Sequence, residues 1–299
     1  MPFKSLFPSD MKTADVHAVM LGAIAPRPIA FVSTVDKDGQ VNLSPYSFFN
    51  AFGANPPTLV FSPALRGRDG KTKHTLDNIR EVGEAVVNIV SYDMVHQMSL
   101  ASTEYPKGVN EFIKAGFSME DSVKVRPPRV RESPAQFECK VIQVISTGTQ
   151  GGAGNLVVCE IVAMHIREEV MDQEGRIDPF RIDQVARLGG DWYTRAAKGL
   201  FKVPKPLTTL GIGVDQLPDP IRTSKVLTGN DLGMLGNVEK LPSREEIESF
   251  AEHQEVKKLI TALSADPENS TTGIHLAAHH LLEKGEVENA WKLLLSHHS

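Results

Sequence analysis

The stretch FECKVIQVISTGTQGGAGNLVVCEIVAMHI, residues 137–166, decides the fold class of this chain. It contains two runs rich in Val and Ile, Phe137 to Ile145 and Leu156 to Ile166, which flank a loop with four glycines. In the first run, apolar and charged residues alternate from Phe137 to Val141. Alternation with a period of two is typical of a strand with one solvated face. The sequence therefore predicts a long antiparallel β-hairpin.

The hairpin loop, GTQGGAGN at 148–155, also has the glycine content of a nucleotide-binding loop. A dinucleotide-binding fingerprint must end a strand and open a helix, so that the pyrophosphate meets the helix N-terminus. The residues that follow this loop, Leu156 to Ile166, have the pattern of a second strand instead. A plain hairpin loop is therefore the favoured interpretation.

The sequence before the hairpin predicts four strands with four helices among them. Strands are predicted over 28–36, from Val41 to Leu43, over 58–62 as the third strand, and over 84–90, and helices over 14–25, 73–82, 93–102 and 109–115. Strands and helices do not alternate regularly. A mainly β fold with inserted helices is therefore predicted, and a partly closed antiparallel barrel is favoured over a doubly wound sheet.

The character of the sequence changes after residue 198. Residues 199–242 have many Pro and Gly positions with weak periodicity, which indicates an irregular arm. Ser243 and Glu246 form a capping-box pattern ahead of apolar residues at helical spacing, and Gly285 is expected to end the first helix of a hairpin over 272–296. Three parts are expected: a β domain over 14–198, the arm over 199–242, and a C-terminal helical extension over 243–299.

Charge and composition narrow the function classes. The net charge of −5 and a pI near 6.1 argue against a nucleic-acid-binding protein, which usually has a basic face. The first ten residues lack the apolar core of a signal peptide, and the longest apolar runs are too short to span a bilayer. A cytoplasmic protein without membrane association is therefore expected.

Two groups of side chains could form a redox or metal site, but each also has a simpler structural explanation. Cys139 and Cys159 could form a redox pair if the strands place them side by side, or they could be small buried apolar residues among Val, Ile and Phe. His275, His279 and Glu283 share one face of a predicted helix, which suits either metal ligands or a solvated surface. Neither pattern matches a known metal motif, and no metal site is predicted.

Cations gather immediately before the helix predicted over 73–82. Arg66 or Arg68, together with Lys71 and Lys73, precede Thr75 in a chain that is acidic overall. A helix N-terminus offers free N–H groups and a partial positive charge, and nearby cations add charge-assisted hydrogen bonds to an anion. A phosphate site and a solvated surface loop are both consistent with this pattern.

Several segments, in order, resemble the flavin-reductase-like family, whose members have an FMN-binding split barrel. The segments are APRPIAFVSTVDKDGQVNLSPYSFFNAFGANPPTLVFSP at 25–63, KHTLDN at 73–78, GVNEFIKAG at 108–116, PPRVRESPAQFECKV at 127–141 and IDPFRIDQVARLGGDWYTR at 177–195. Each segment is short, but their shared order makes the resemblance specific over residues 14–198. Residues 199–299 resemble the arm and helices of longer relatives.

The resemblance implies an FMN site made of three groups of residues. It places Arg27, Ser33 and Thr34 along the cofactor, Ser44, Pro45, Tyr46, Ser47, Phe48 and Phe49 beside the isoalloxazine ring, and Lys73, His74 and Thr75 at the phosphate. The family's usual helix opening is Lys-Asp-Thr, so His74 replaces an acidic residue and is expected to donate to phosphate when protonated. No catalytic side chain is assigned, because the cofactor supplies the reactivity.

The resemblance also implies a function and partners. An NAD(P)H-dependent flavin reductase would take a hydride from NADH or NADPH onto FMN and pass electrons to a small-molecule or flavin acceptor, with a separate oxygenase as one candidate partner. Relatives of this kind are homodimers with flavin at the subunit interface. Two alternatives stay open: a flavoredoxin-like electron carrier or substrate-specific flavoprotein that holds FMN tightly, and a non-catalytic FMN-binding module whose C-terminal helices recruit a partner.

Overall fold

The computed structural model describes residues 2–207, 210–264 and 270–298, which form two compact units divided after Phe201. The first unit contains the strands β1 Ala30–Val35, β2 Val41–Tyr46, β3 Phe49–Ala54, β4 Pro57–Phe61, β5 Glu84–Ile89, β6 Met119–Glu120, β7 Arg129–Val130, β8 Ala135–Ser146, β9 Asn155–Ile166, β10 Val185–Arg187 and β11 Tyr193–Arg195. Its helices are α1 Thr13–Ala23, α2 His74–Val82, α3 Val95–Leu100 and α4 Glu111–Ala115. Short 3-10 helices occur at Pro8–Asp10, Tyr92–Met94, Glu168–Val170 and Ala196–Lys198.

The main sheet of the first unit is antiparallel and has the strand order β2-β1-β5-β8-β9-β4-β3. Its two outer strands, β2 and β3, follow each other in sequence and are joined by Ser47 and Phe48. The Ser62 N–H donates to the Phe48 carbonyl at 2.9 Å, which ties the end of β4 to this junction. The sheet therefore curls back on itself, and the predicted partly closed barrel with inserted helices is confirmed.

The long hairpin predicted from residues 137–166 is confirmed as β8 and β9. The two strands pair from Ala135 with Ile166 to Ser146 with Asn155. The prediction that 58–62 would be the third strand was wrong, because β3 precedes it. Residues such as Asn50 and Gly53 have low strand propensity, and β3 is ordered instead by its backbone pairing with β4.

Two apolar clusters pack on opposite faces of the barrel wall. The interior cluster consists of Ala30, Val32, Tyr46, Leu59, Phe61, Leu76, Ile79, Ala85, Val87, Cys139, Val157 and Cys159. The other cluster joins Phe31 and Leu43 to Met98 of α3 and Phe112 of α4. Successive side chains of a strand point to opposite faces, so β1 supplies Val32 to the first cluster and Phe31 to the second.

Helix α2 closes one end of the barrel interior. It buries Leu76 and Ile79 in the interior cluster and ends at Gly83, whose φ of 71° is in the left-handed region that favours glycine at a helix C-terminus. The predicted helix over 73–82 is confirmed to within one residue. Its first turn therefore lies at the barrel end, directly after the cationic segment.

The second unit begins at Lys202 and is helical. It contains the 3-10 helix Val214–Gln216 and helices α5 Asp219–Arg222, α6 Gly229–Gly236, α7 Arg244–Ala251, α8 Gln254–Ser264, α9 Ser270–Glu283 and α10 Val287–His298. Its core includes Ile221, Leu235, Ile274 and Trp291, and the indole of Trp291 donates to the Leu235 carbonyl at 3.0 Å.

Two local sequence predictions in this unit are confirmed. Ser243 and Glu246 form both hydrogen bonds of the capping box at the start of α7. Gly285, with a φ of 78°, lies between α9 and α10 as predicted.

The His residues singled out in α9 have separate partners. His275 Nδ1 lies 2.7 Å from Ser224 Oγ, whereas His279 Nδ1 lies 3.0 Å from Asp231 Oδ2. The described residues contain no cluster of three or more His, Cys, Asp or Glu side chains that could hold a metal ion. Across residues 2–207, 210–264 and 270–298, no helix is long and apolar enough to cross a membrane.

Candidate functional site

The first turn of α2 is surrounded by positive charge. Lys73 precedes the helix with extended backbone, and no described side chain caps that turn. The Nε atom of Arg66 is buried without a hydrogen-bond partner among the described residues, and the nearest carboxylate oxygen, Glu104 Oε1, is 4.0 Å away. A buried donor without a partner is costly, so this end of the barrel is suited to an anion.

Burial and repulsion by neighbouring cations both lower the pKa values of Lys73 and His74. Burial lowers the pKa of Lys73; Glu104 opposes that shift and Arg66 adds to it. Burial also lowers the pKa of His74, with contributions in the same direction from Arg66 and Lys107 and opposition from Asp77. Mutual repulsion of this kind is relieved when an anion binds between the cations.

Arg66 and Arg68, between which the sequence left the choice open, differ in exposure. Both arginines form ion pairs with Glu104, but the Arg68 side chain is 67% exposed and the Arg66 side chain 20% exposed. Burial is the main cause of the lowered pKa of Lys73, and the Arg66 charge contributes in the same direction. Of the two arginines, Arg66 is therefore the better placed to contact an anion at the first turn of α2.

A buried polar cluster lies beneath the first turn of α2. Thr75 Oγ1 accepts hydrogen bonds from Tyr46 Oη at 2.8 Å and from Asn42 Nδ2 at 2.9 Å. The Lys73 Nζ atom lies 5.3 Å from the centroid of the Tyr46 ring. Burial raises the pKa of Tyr46, and hydrogen bonds with Thr75 and Ser44 oppose that shift. The cluster thus joins β2 to α2.

Thr34 completes this cluster on the neighbouring strand. Its Oγ1 accepts a hydrogen bond from Asn78 Nδ2 at 3.1 Å, and it pairs with Asn42 across β1 and β2. The sequence prediction missed Asn42. The period of two along β2 could have identified it, because Asn42, Ser44 and Tyr46 share one face of that strand.

The segment 44–49 runs from β2 across the junction into β3. Tyr46 is buried, and the other members are half-buried: Ser44, Pro45, Ser47, Phe48 and Phe49. The Phe48 ring meets the His17 ring edge-on, with centroids 6.1 Å apart, and Phe49 packs against the interior cluster. Hydroxyls and aromatic edges therefore lie at the open side of the barrel.

Arg27 and Ser33, from the same predicted set, lie apart from the Thr75 cluster. The Arg27 guanidinium donates to the carbonyls of Leu21 at 2.8 Å, Ile24 at 2.5 Å and Leu188 at 3.0 Å. Its Nε donates to Ser47 Oγ at 3.3 Å, which is its link to the segment 44–49. The Ser33 hydroxyl donates to the Pro128 carbonyl on the opposite face of β1.

The glycine-rich hairpin loop supports the segment that carries Arg66. Leu65 N–H donates to the Ala153 carbonyl at 2.9 Å, and Gly152 N–H donates to the Leu65 carbonyl at 3.0 Å. A Cβ atom on Gly151 would lie 2.7 Å from the Gly67 carbonyl oxygen, closer than two such atoms can approach. The glycines therefore allow two loops to pack backbone against backbone.

Cys139 and Cys159 are both free and fully buried in the barrel interior. A hydrogen bond with Cys159 and burial raise the pKa of Cys139 well above its ordinary value. A thiol with a raised pKa stays protonated and is a poor nucleophile. This environment favours the interpretation of the pair as small buried apolar residues.

Comparison with known proteins gives a family and a fold. A sequence model of the family described as "Flavin reductase like domain" matches residues 21–180. An uncharacterised protein of Halalkalibacterium halodurans is 34% identical over 203 residues, which cover 67% of this chain and 96% of that protein.

Two solved structures have the same fold. Component B of nitrilotriacetate monooxygenase from Bacillus cereus matches with a TM-score of 0.64 at 29% identity, over 68% of this chain and 100% of its own. A split-barrel-domain protein from Shewanella frigidimarina matches with a TM-score of 0.57 at 26% identity, over 66% of this chain and 95% of its own.

Proposed function

Because the chain belongs to the flavin reductase like domain family, we propose that it is an FMN-binding, NAD(P)H-dependent oxidoreductase. The observation that carries this proposal is the buried Arg66 Nε, which has no hydrogen-bond partner in the part of the chain that the structure describes, together with Lys73 at the N-terminus of α2. A flavin mononucleotide ends in a phosphate, which carries about two negative charges at neutral pH. An anion of that charge suits the described arrangement of donors.

The residues at the barrel end fit the phosphate of FMN. Arg66 and Lys73 supply positive charge, α2 supplies the N–H groups of His74 and Thr75, and Thr75 supplies a hydroxyl. When bound, FMN supplies the site that accepts a hydride from the nicotinamide. The chain's own contribution is to hold the phosphate, orient the ring and shape its surroundings.

The segment 44–49 is the proposed contact for the isoalloxazine ring. The hydroxyls of Ser44 and Ser47 can hydrogen-bond the ring's oxygen and nitrogen atoms, and Phe48 can cover an apolar edge. The first three residues of the segment, 44–46, are the end of β2, and the hydroxyl of its member Tyr46 contacts Thr75 at the proposed phosphate site. One continuous strand therefore links the two proposed halves of the cofactor site.

The proposed partners are a second copy of this chain and an acceptor of reduced flavin. The β8–β9 hairpin exposes the apolar side chains of Ile142, Ile145, Leu156 and Met164, a surface suited to a homodimer contact. One structural relative is named as component B of a monooxygenase, which favours a separate oxygenase as the acceptor.

The test is a visible absorption spectrum of purified protein with FMN, followed anaerobically as NADH and then NADPH is added. Rapid bleaching of bound flavin by either nucleotide is the expected result, and it identifies the donor. Flavin that binds but stays oxidised would overturn the reductase assignment in favour of a flavoredoxin-like carrier or a non-catalytic module. Failure to bind FMN would overturn the proposal as a whole.

The affinity for FMN is expected to depend on pH through Lys73. Burial lowers the pKa of Lys73 in the free protein, and a bound phosphate raises it again, since it favours the charged ammonium. Binding is therefore strongest while free Lys73 is protonated. It weakens as the pH rises through the lowered pKa, a window that begins below the ordinary value of 10.5.

Titrations of FMN between pH 7 and 10 measure this dependence, and riboflavin titrated in parallel corrects for ionisation of the shared ring. Lys73→Arg keeps its charge over this range and is expected to flatten the profile. An unchanged profile in Lys73→Arg would show that another group is responsible.

A further inference from the structure

A second cavity lies between α3 and the hairpin formed by β10 and β11, and its volume is about 420 Å³. Small-molecule sites in proteins measure about 300–1,000 Å³. None of the residues proposed to hold FMN lines this cavity. Strands β10 and β11 also lie beyond residues 21–180, which match the family model. The residues used below are Tyr92, Val95, Val185, Arg187, Tyr193 and Arg195.

The two walls of the cavity are fastened to each other. The Tyr92 N–H donates to the Asp183 carbonyl at 2.9 Å, and the Val185 N–H donates to the Val90 carbonyl at 3.1 Å. The Asp183 carboxylate accepts hydrogen bonds from Arg195 Nε at 2.8 Å and Nη2 at 2.6 Å. The Arg195 guanidinium in turn lies 4.0 Å from the centroid of the Tyr92 ring. The cavity is therefore formed before any ligand enters, which lowers the entropic cost of binding.

Arg187 lines the same cavity without such a carboxylate partner. It pairs with Tyr193 across the two strands, and its guanidinium lies 4.6 Å from the centroid of that ring. In the part of the chain that the structure describes, its side chain has one long hydrogen bond, from Nη1 to the Trp192 carbonyl at 3.5 Å, and no carboxylate oxygen within 4.0 Å. Burial lowers the pKa of Arg27, and the Arg187 charge contributes in the same direction. An anion beside Arg187 relieves that repulsion.

The charges around the cavity favour a ligand with a single negative charge. With His96 counted as neutral, the charged groups of the wall are Arg187, Arg195 and Asp191. Asp183 already neutralises Arg195, and the exposed Asp191 repels a dianion more strongly than a monoanion. The planar guanidinium of Arg187 offers two parallel N–H donors that match the two oxygens of a carboxylate. A carboxylate therefore fits better than a phosphate dianion.

The rest of the wall suits a flat ring. Val95 and Val185 are buried and apolar, and the rings of Tyr92 and Tyr193 supply aromatic surface. An aromatic ring can also stack on a guanidinium plane. We propose that this cavity binds a small aromatic carboxylate, whose carboxylate pairs with Arg187 and whose ring packs against the apolar wall. This site is additional to the one proposed for FMN.

The test is a calorimetric titration of benzoate into the full-length protein, with benzamide and AMP as comparison ligands. Benzoate is expected to bind with a Kd below about 1 mM. Benzamide has the same shape without the charge, so its affinity is expected to be at least about tenfold lower. Absence of benzoate binding, or equal affinities for benzoate and benzamide, would overturn the proposal. Tighter binding of AMP than of benzoate would overturn it in favour of a nucleotide phosphate.

Variants of Arg187 locate the bound carboxylate. Arg187→Gln is expected to weaken benzoate binding by about tenfold or more, and Arg187→Lys, which keeps the charge but loses the paired donors, by about threefold. Arg176→Gln is the matched control, because it removes the same charge from a side chain that is 70% exposed, and its expected effect is less than about twofold. Unchanged benzoate affinity in both Arg187 variants, or equal losses in Arg187→Gln and Arg176→Gln, would contradict the assigned site.

Discussion

Replacement of Lys73 by Ala is expected to weaken FMN binding by about a hundredfold, which corresponds to about 2.7 kcal/mol. The ammonium lies at the first turn of α2 in a partly buried position, where burial already lowers its pKa. A charge that is poorly hydrated interacts strongly with a phosphate, because less water competes for either partner. Isothermal titration calorimetry of FMN into the flavin-free protein measures the loss directly.

The matched control for this variant is Arg80→Ala. Arg80 lies in the last turn of the same helix and is exposed, so its removal changes the net charge equally without touching the proposed phosphate site. Its expected effect on FMN affinity is less than about twofold, since exposed charges are screened. Comparable losses in Lys73→Ala and Arg80→Ala would mean that overall charge, and not a phosphate contact, governs binding.

The parts of the fold that could be predicted from sequence are those with strong local patterns. The β8–β9 hairpin has long apolar runs, and α2 has a glycine that ends it at Gly83. Strand β3 was missed because its residues carry no strand pattern and its order comes from pairing with β4. Local propensity cannot reveal a strand that is specified by its neighbour.

Some residues of the candidate site could be predicted from local sequence, and others could not. Lys73 and Thr75 follow from the position of a helix N-terminus, which local sequence indicates well. Asn42 and the choice of Arg66 over Arg68 depend on contacts between segments distant in sequence. The glycines near Gly151 suggested a ligand loop or a turn, whereas their close approach to Gly67 could be recognised only in three dimensions.

Arg27 is where the resemblance and the structure point to different roles, and a stability measurement separates them. The resemblance places Arg27 along the cofactor, but the residue as a whole is 5% exposed and its guanidinium donates to three backbone carbonyls, those of Leu21, Ile24 and Leu188. Its removal leaves these part-buried acceptors without their charged donor, and each hydrogen bond to a charged group contributes about 1.5–3 kcal/mol. We therefore expect Arg27→Ala to lower the free energy of unfolding by about 3–5 kcal/mol.

For a unit of this size, that loss corresponds to a fall in Tm of about 6–20 °C, measured by calorimetry on flavin-free protein. Arg126→Ala is the control, because its side chain is half exposed and lies 3.9 Å from Glu84, a surface pair worth less than about 1 kcal/mol. If Arg27 instead contacted the cofactor, Arg27→Ala would weaken FMN binding while the flavin-free Tm stayed within about 2 °C of the wild type. The three carbonyl contacts favour the fall in Tm. They join α1 and the segment after β10 to Arg27, which lies shortly before β1.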